Sequence, residues 1–288
     1  MKIGRMGLLA VVLGSGWMMP ATAQTLSAAQ IAQVIASPER SAADRTNDIR
    51  RKPADMLAFI GIRGGMVALD VSAAGGYTTE LIARAIGAGG AGGTVYGQNR
   101  PRDPAKPLPT PAAPEGNANP TATPAAPVAA PVAAAPRPPT VSLMDRAANL
   151  AKTGGGATIL PVTRPFEDPV PAEVADGKLD LVTLMFNYHD LGWMGVDRAA
   201  MNRALFRALK PGGMFVIADH AGRPGTGISE AGTLHRIEGA FLRREVEAAG
   251  FKLAAEGTFL ANPNDPKDKN TPEPAQPKDE MVFKFVKP

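Results

Sequence analysis

The chain of 288 residues contains no cysteine, which excludes disulfide bonds, cysteine nucleophiles and thiolate metal sites. Aromatic residues are scarce at 5%, and the formal net charge is only +4 at pH 7. The lysines and arginines form no dense run. So little excess positive charge and so few stacking side chains argue against nucleic acid as the main partner.

A membrane-length apolar run is also missing beyond the first residues, so no stable membrane insertion is expected. The opening, MKIGRMGLLAVVLGSGWMMPATAQ, combines a basic start, a short apolar run and a cleavage-like site at Ala21-Thr22-Ala23. This pattern is typical of a secretory signal peptide and predicts residues 1–23 as a cleaved leader of an exported, periplasmic protein. The alternative is a cytosolic chain with an apolar start. No cysteine follows the run, which argues against a lipid anchor.

Large apolar residues are nearly absent from residues 100–140, which hold 13 of the chain's 28 prolines. Proline removes backbone donors and alanine buries little area, so this segment is predicted to be an extended, disordered insertion. The two flanking segments, residues 24–99 and 141–288, are together long enough for one α/β domain.

Predicted strands and helices alternate along both halves of this domain. Strands are predicted at 66–71, 92–99, 157–163, 178–186, 214–220, 252–260 and 281–287, with a turn at LKPGG (209–213). Helices are predicted at 27–36, 40–60, 142–152, 196–210 and 235–249, with a further helix across Leu81 and Ile86. This alternation predicts an α/β fold with a Rossmann-like, doubly wound, mostly parallel sheet of seven strands. The last two strands follow one another without a helix, so the last strand should be antiparallel.

The segment VALDVSAAGGYTTEL predicts a strand, a loop of small residues and a helix, a layout that often holds a nucleotide-like cofactor. Small side chains let loop N–H groups approach a ligand beside the helix N-terminus. Glycine is usual at alternate positions of such loops, yet Ser72 and Ala74 stand there, followed by Gly75 and Gly76. If those two positions need a positive φ, each non-glycine residue adds about 1–2 kcal/mol of strain. We therefore expect weakened rather than abolished binding.

Five segments in this order resemble the class I S-adenosyl-L-methionine-dependent methyltransferases: VALDVSAAGGYTTEL, VYGQN, FNYHDLGW, LKPGG and HRIEGAFLRREVEAAGF. The segment DIRRKP (48–53) also fits, and the nearest match is a group of bacterial, often exported, members. The resemblance covers residues 40–99 and 141–288. It implies S-adenosyl-L-methionine as the cofactor and methyl transfer to a small-molecule or other acceptor, which the sequence does not identify.

The resemblance also implies roles for residues at strand ends. Asp70 corresponds to the acidic residue that fixes the loop and faces the methionine part of the cofactor; alternatively, it is a buried carboxylate that binds loop amides. Gln98 and Asn99 stand where the family commonly has an acid for the ribose hydroxyls, and they carry no charge. Glu167 lies where an acid accepts from the adenine amino group, or it belongs to a solvated acidic turn.

The polar segment FNYHDLGW follows a predicted buried strand, where the reactive methyl group and its acceptor would meet. His189 is the candidate general base, and Asp190 is the residue that orients it. Tyr188, a catalytic candidate, and Asn187, a candidate cofactor contact, could hold the acceptor or the sulfonium, and Trp193 is expected to cover the site. The alternative for His189 is a hydrogen bond to a backbone carbonyl at the strand edge.

The three histidines of the chain, His189, His220 and His235, all fall in the second half, with Asp190 and Asp219 beside two of them. A His/Asp metal site could be built from these residues, since some O-methyltransferases use a divalent cation. Their spacing matches no recognised metal-ligand motif, however, and the strand-end location already explains two of them, so no metal is predicted.

Two other functions are alternatives to a methyltransferase. S-adenosyl-L-methionine is made in the cytosol and the N-terminus predicts export, so the rival is a non-catalytic exported binding protein on a methyltransferase scaffold. A nicotinamide dehydrogenase is disfavoured because SAAGGY lacks the G-x-G-x-x-G pattern.

Overall fold

A seven-stranded sheet organises the residues that the computed structural model describes, which are 24–102, 141–272 and 274–288. The predicted signal peptide, residues 1–23, lies outside the described residues, and so does nearly all of the predicted insertion. Both therefore stay predictions. Within the described ranges, no helix has the length and apolar character needed to cross a membrane.

The strands and helices alternate as the sequence predicts. The strands are β1 (Val67–Val71), β2 (Thr94–Asn99), β3 (Thr158–Thr163), β4 (Leu179–Met185), β5 (Leu209–His220), β6 (Lys252–Gly257) and β7 (Glu280–Val286). The helices are α1 (Ala28–Ala36), α2 (Ala42–Arg51), α3 (Pro53–Ile60), α4 (Tyr77–Ala88), α5 (Leu143–Thr153), α6 (Asp190–Trp193), α7 (Arg198–Ala208), α8 (Ala231–Leu234) and α9 (Gly239–Ala248).

The strands follow the order β3-β2-β1-β4-β5-β7-β6. Since β1 pairs in parallel with both β2 and β4, the winding direction of the chain reverses between β1 and β4. β7 runs antiparallel between β5 and β6. The predicted doubly wound, mostly parallel sheet with an antiparallel last strand is confirmed. Ligands of open α/β sheets bind outside the carboxyl ends of the strands at such a reversal, which here means β1 and β4.

Apolar side chains cover both faces of the central strands, as parallel strands require. Leu69 and Val182 pack into one apolar cluster, whereas Ala68 and Leu181 pack into the cluster on the opposite face. All four are fully buried. This two-sided packing fixes the carboxyl ends of β1 and β4, from which the candidate site is built.

The helix predicted at 40–60 is two helices, because α2 ends at Arg51 and α3 begins at Pro53. Lys52 between them has a left-handed φ of 43°. A proline at the first position of α3 costs no hydrogen bond, because that N–H would have no partner within the helix. The break leaves Arg51 at the last position of α2.

The later helix boundaries also differ from the prediction. α7 begins at Arg198 rather than 196, because the Asp197 side chain caps it by accepting from the Ala200 N–H at 2.8 Å. The LKPGG segment, predicted as a turn, lies inside β5, where pairing with β4 shifts register between Leu179 and Leu181.

The helix predicted at 235–249 begins only at Gly239. His235 has a left-handed φ of 51°, and Ile237 pairs with Ala221 in a parallel bridge. This tertiary contact overrides the helical pattern and keeps His235 outside the helix.

Candidate functional site

The loop that follows β1 holds two non-glycine residues in the left-handed backbone conformation, which is unfavourable for them. Ser72 has a φ of 59° and Ala74 a φ of 48°, while Gly76 has a φ of 86°. Left-handed backbone costs a non-glycine residue about 1–2 kcal/mol. Phe186, after β4, and His235 are also left-handed, so four of the six described non-glycine residues with positive φ surround the carboxyl ends of β1 and β4. Such strain is often found at functional sites.

Gln98 and Asn99, at the end of β2, hold this loop in place. The Gln98 Oε1 accepts from the Ser72 N–H at 2.9 Å, and its Nε2 donates to the Arg164 carbonyl at 2.6 Å. Asn99 accepts from the Ala74 N–H at 2.8 Å and donates to the Ala74 carbonyl at 3.1 Å. The predicted ribose contacts are therefore corrected, because both side chains already bind the protein and Gln98 is fully buried.

The loop amides are largely engaged as well. Besides the Ser72 and Ala74 N–H groups, the Ala73 N–H donates to the Gln98 carbonyl at 2.8 Å and the Gly76 N–H to the Ala73 carbonyl at 2.7 Å. The expectation that several loop N–H groups face a ligand is therefore not met in this conformation.

Asp70 is buried at the end of β1 and faces two threonines. Its carboxylate accepts from the Thr79 hydroxyl at 2.6 Å and from the Thr183 hydroxyl at 2.7 Å. Burial raises the pKa of Asp70 to about 6, although these hydrogen bonds and the charge of Arg51 oppose the rise. Side-chain hydroxyls, rather than the loop amides considered from the sequence, hold this carboxylate.

A pocket lies over the loop, and its walls carry charges of both signs. Asp70 and the residues 72–76 line one side, and Asn47 and Arg51 of α2 line another. The Arg51 guanidinium stacks on Phe186, 4.0 Å from the ring centroid. Burial and the neighbouring charge of Arg50 lower the pKa of Arg51 to about 10, so it stays a cation at neutral pH. The DIRRKP segment was the sequence signal for this residue.

A buried ion-pair network closes the far side of the pocket, and no sequence pattern predicted it. Arg146 of α5 binds Asp44 of α2 through two hydrogen bonds of 2.6 Å and 2.8 Å. Its Nε donates to the Gly75 carbonyl at 2.7 Å, and it also pairs with Glu80. Burial raises the pKa of Asp44, but the hydrogen bonds from Arg146 outweigh burial and lower it overall.

Asn187 connects the loop to the residues after β4. Its Oδ1 accepts from the Ser72 hydroxyl at 2.7 Å, and its Nδ2 donates to Asp190 at 3.0 Å. The fold thus brings Ser72, Asn187 and Asp190 together.

His189 is buried between two carboxylates. Its Nδ1 lies 2.6 Å from Asp219 Oδ1, and its Nε2 lies 3.1 Å from Asp190 Oδ1. Burial lowers the pKa of His189, but the two carboxylates outweigh burial and raise the pKa to about 9. Both ring nitrogens thus face carboxylates in this arrangement, and the role of His189 as general base stays a prediction. The predicted alternative, a hydrogen bond to a backbone carbonyl, is replaced by a pairing with Asp219.

Asp190 is a shared acceptor. Its Oδ1 lies 2.9 Å from His235 Nδ1 and accepts from the Trp193 Nε1 at 2.8 Å. Burial raises the pKa of Asp190, but hydrogen bonds from His189 and His235 outweigh it and hold the pKa well below its usual range. Trp193 is therefore a partner of Asp190 in addition to any covering role. One ligand atom each from His189, Asp190 and His235 lies within 4.8 Å of the other two.

Two other residues singled out by the sequence, Tyr188 and Glu167, lie apart from these contacts, whereas the His220 ring lies 5.4 Å from the His189 ring. Tyr188 is fully buried in the core, where its hydroxyl donates to Glu245 at 3.0 Å and accepts from Asn202 at 2.9 Å. Its catalytic assignment is therefore corrected. Glu167 is half-buried after β3. His220 has a pKa lowered to about 2 by burial and by the charge of Lys278.

No protein-family model matches the chain, and no curated protein matches it by sequence. Among solved structures it is similar to a SAM-dependent methyltransferase from Aquifex aeolicus, at 13% identity and a TM-score of 0.51, over 91% of this chain and 100% of that one. SpnF, a 4+2 cyclase, matches at 15% identity and a TM-score of 0.49, over 82% of each chain. CrArsM, an arsenic(III) S-adenosylmethionine methyltransferase from Chlamydomonas reinhardtii, matches at 15% identity and a TM-score of 0.45, over 77% of this chain and 62% of that one. Identities this low show the fold alone, which is the Rossmann-like fold of class I methyltransferases.

Proposed function

We propose that this protein is an S-adenosyl-L-methionine-dependent methyltransferase whose acceptor is not identified. The observation that carries the proposal is the position of Asp70 and Arg51 in one pocket at the carboxyl ends of β1 and β4. An anion and a cation facing one cavity suit a zwitterionic amino-acid group, which the methionine part of this cofactor contains. The resemblance in sequence and the fold point to the same cofactor.

The pocket fits one end of the cofactor better than the other. At the amino-acid end, the Asp70 carboxylate would accept from the ammonium group and the Arg51 guanidinium would donate to the carboxylate. At the ribose end, Gln98 and Asn99 are committed to the loop backbone. No role in ribose binding is therefore assigned to them.

When bound, the cofactor supplies an activated methyl group, and the residues of the chain position and desolvate the reacting groups. Methyl transfer is an in-line displacement, so alignment and exclusion of water are the main requirements. Met185 lines the pocket beside Arg51 and supplies an apolar surface there, and Phe186 packs against the Arg51 guanidinium. Ser72 and Asn187 tie the loop to the chain after β4, so that both sides of the pocket keep one geometry.

The hydrogen bonds that already occupy the loop after β1 favour a second function. Because the loop amides and the side chains of Gln98 and Asn99 already bind the protein, the scaffold also suits an exported binding protein without catalysis. Such a protein would bind an amino-acid-like ligand at Asp70 and Arg51 and transfer nothing.

Thermal unfolding with and without S-adenosyl-L-methionine, or its demethylated product, tests the proposal. A ligand at a hundred times its dissociation constant adds about 2.7 kcal/mol, which raises the midpoint of a domain this size by about 5–10 °C. The Asp70→Asn variant should lose this rise. Asp176→Asn, at a carboxylate whose side chain is 80% exposed, should keep it.

The outcomes separate the two functions. No rise at millimolar ligand would remove the methyltransferase proposal. A rise without methyl transfer to any acceptor in an untargeted screen would favour the binding protein.

We also propose, from the sequence, that the chain is exported and cleaved after Ala23. The mass of the protein recovered from the periplasm tests this, since an intact N-terminus would contradict it.

A further inference from the structure

Three side chains from two separate parts of the chain converge beside the pocket. His189 and Asp190 follow β4, and His235 follows α8, 45 residues later. Their ligand atoms, His189 Nε2, Asp190 Oδ1 and His235 Nδ1, lie within 4.8 Å of one another. The sequence contained no ligand spacing that predicts this convergence, because the bridge between Ala221 and Ile237 produces it.

The distances are close to those between neighbouring ligands of a single metal ion. Asp190 Oδ1 lies 3.1 Å from His189 Nε2 and 2.9 Å from His235 Nδ1. Two ligands bound at about 2.1 Å to one tetrahedral ion are about 3.4 Å apart, so these pairs would move apart by only about 0.3–0.5 Å to bind it. The planes of the two imidazole rings meet at 89°, so the rings do not stack against each other. The geometry points to a site for a divalent transition-metal ion of the zinc class, bound by His189, Asp190 and His235.

The neighbours of these side chains orient them as the neighbours of metal ligands do. Asp219, whose side chain is 0% exposed, binds His189 Nδ1 at 2.6 Å, which directs Nε2 towards Asp190. The Asp219 carboxylate is itself fixed by the N–H groups of His189 and His220, each at 2.8 Å. A carboxylate behind a histidine is the usual partner of a metal-bound imidazole. Asn187 likewise holds the second oxygen of Asp190.

Ligand type and exposure define the kind of ion and of site. Two imidazoles and one carboxylate suit zinc, iron, cobalt or nickel, whereas magnesium and calcium prefer oxygen ligands alone. His189 is buried, but the side chain of His235 is 33% exposed, so one side of the cluster is open. Zinc sites with three protein ligands and an open position bind water or a substrate atom there.

Zinc titration of the purified full-length chain, stripped with a chelator, tests the site without cofactor or acceptor. We expect one zinc ion per chain by calorimetry, and visible absorption bands when cobalt replaces zinc. His235→Gln should weaken zinc binding at least 100-fold. Asp219→Asn, which removes only the partner of His189, should weaken it about 10–100-fold.

The third histidine of the chain provides the control. His220→Asn should leave the stoichiometry and affinity unchanged, because His220 contributes no ligand atom to the cluster. Far-ultraviolet circular dichroism and the metal-free thermal midpoint identify any variant that has not folded; Asp219→Asn carries the test if His235→Gln fails. Absence of zinc binding, or equal loss in the His220 and His235 variants, would overturn the proposal and leave the cluster as a hydrogen-bonded unit.

The test is independent of the proposed function. Zinc binding without methyl transfer would support the metal site and count against the enzyme. Methyl transfer by a chain that binds no zinc would do the reverse.

Discussion

Replacing Ala74 by glycine should stabilise the protein. The φ of 48° at Ala74 costs an alanine about 1–2 kcal/mol relative to glycine. Glycine loses about 0.5–1 kcal/mol through the greater freedom of the unfolded chain. Ala74 is exposed, so its methyl group contributes little packing, and its two backbone hydrogen bonds to Asn99 remain. The expected net gain is about 0.5–1 kcal/mol in the free energy of unfolding.

Three further variants test whether a gain in Ala74→Gly comes from relief of the left-handed backbone at residue 74. Ala148→Gly, at an exposed position inside α5, should lose about 1 kcal/mol, because glycine is a poor helix former. Ser72→Gly relieves the same strain but loses the 2.7 Å hydrogen bond to Asn187, so its net effect should be near zero. Gly76→Ala should destabilise by about 2 kcal/mol or more, because its Cβ would lie 2.7 Å from Leu143 at a φ of 86°.

Equilibrium unfolding in urea measures these differences, provided that the slope against denaturant stays the same in all variants. The reasoning is refuted if Ala74→Gly destabilises the protein as much as Ala148→Gly does. That result would mean that the loop relaxes away from its left-handed backbone at no cost.

Three other predictions concern Asp70, Gln98 and the insertion. The pKa of Asp70 is raised from 3.8 to about 6, so the stability it contributes is full below pH 3.8 and is lost as the pH rises to 6, by about 2–3 kcal/mol between pH 4 and pH 7; unfolding of Asp70→Asn at both pH values should lack this loss. Gln98→Met should cost about 2–3 kcal/mol in urea, because the Ser72 N–H and the Arg164 carbonyl, both partly buried, lose their hydrogen bonds; a neutral effect would contradict the role of Gln98 in holding the loop. Replacing residues 103–140 with a flexible linker should move the thermal midpoint by only a few degrees; loss of folding would show that they pack.

Strand and loop patterns were enough to predict the fold. The apolar run of β4 followed at once by polar residues placed Asn187 and Asp190 correctly at a strand end. The same pattern could not give the direction of each side chain once the strand ends. Tyr188 therefore points into the core, although its neighbours in sequence face the site.

Contacts between segments far apart in the sequence could not be predicted from local sequence patterns. Arg146 and Asp44 are 102 residues apart, and no periodicity links them. His235 lies in a sequence with helical spacing, but the bridge from Ile237 to Ala221 decides its backbone. Gln98 and Asn99 were placed at the correct strand end, yet whether an amide binds a ligand or a neighbouring loop depends on the loop's final shape.

The amide latch formed by Gln98 and Asn99 contains no titratable group, and this has a consequence for any ligand of the pocket. Its hydrogen bonds are insensitive to pH and only weakly affected by salt, so the floor of the pocket keeps its shape when solution conditions change. Changes in ligand affinity with pH or ionic strength therefore report on the ligand and on charged walls such as Asp70 and Arg51. Affinities measured over a range of pH and salt would thus measure the electrostatic potential in a pocket whose loop keeps the same conformation.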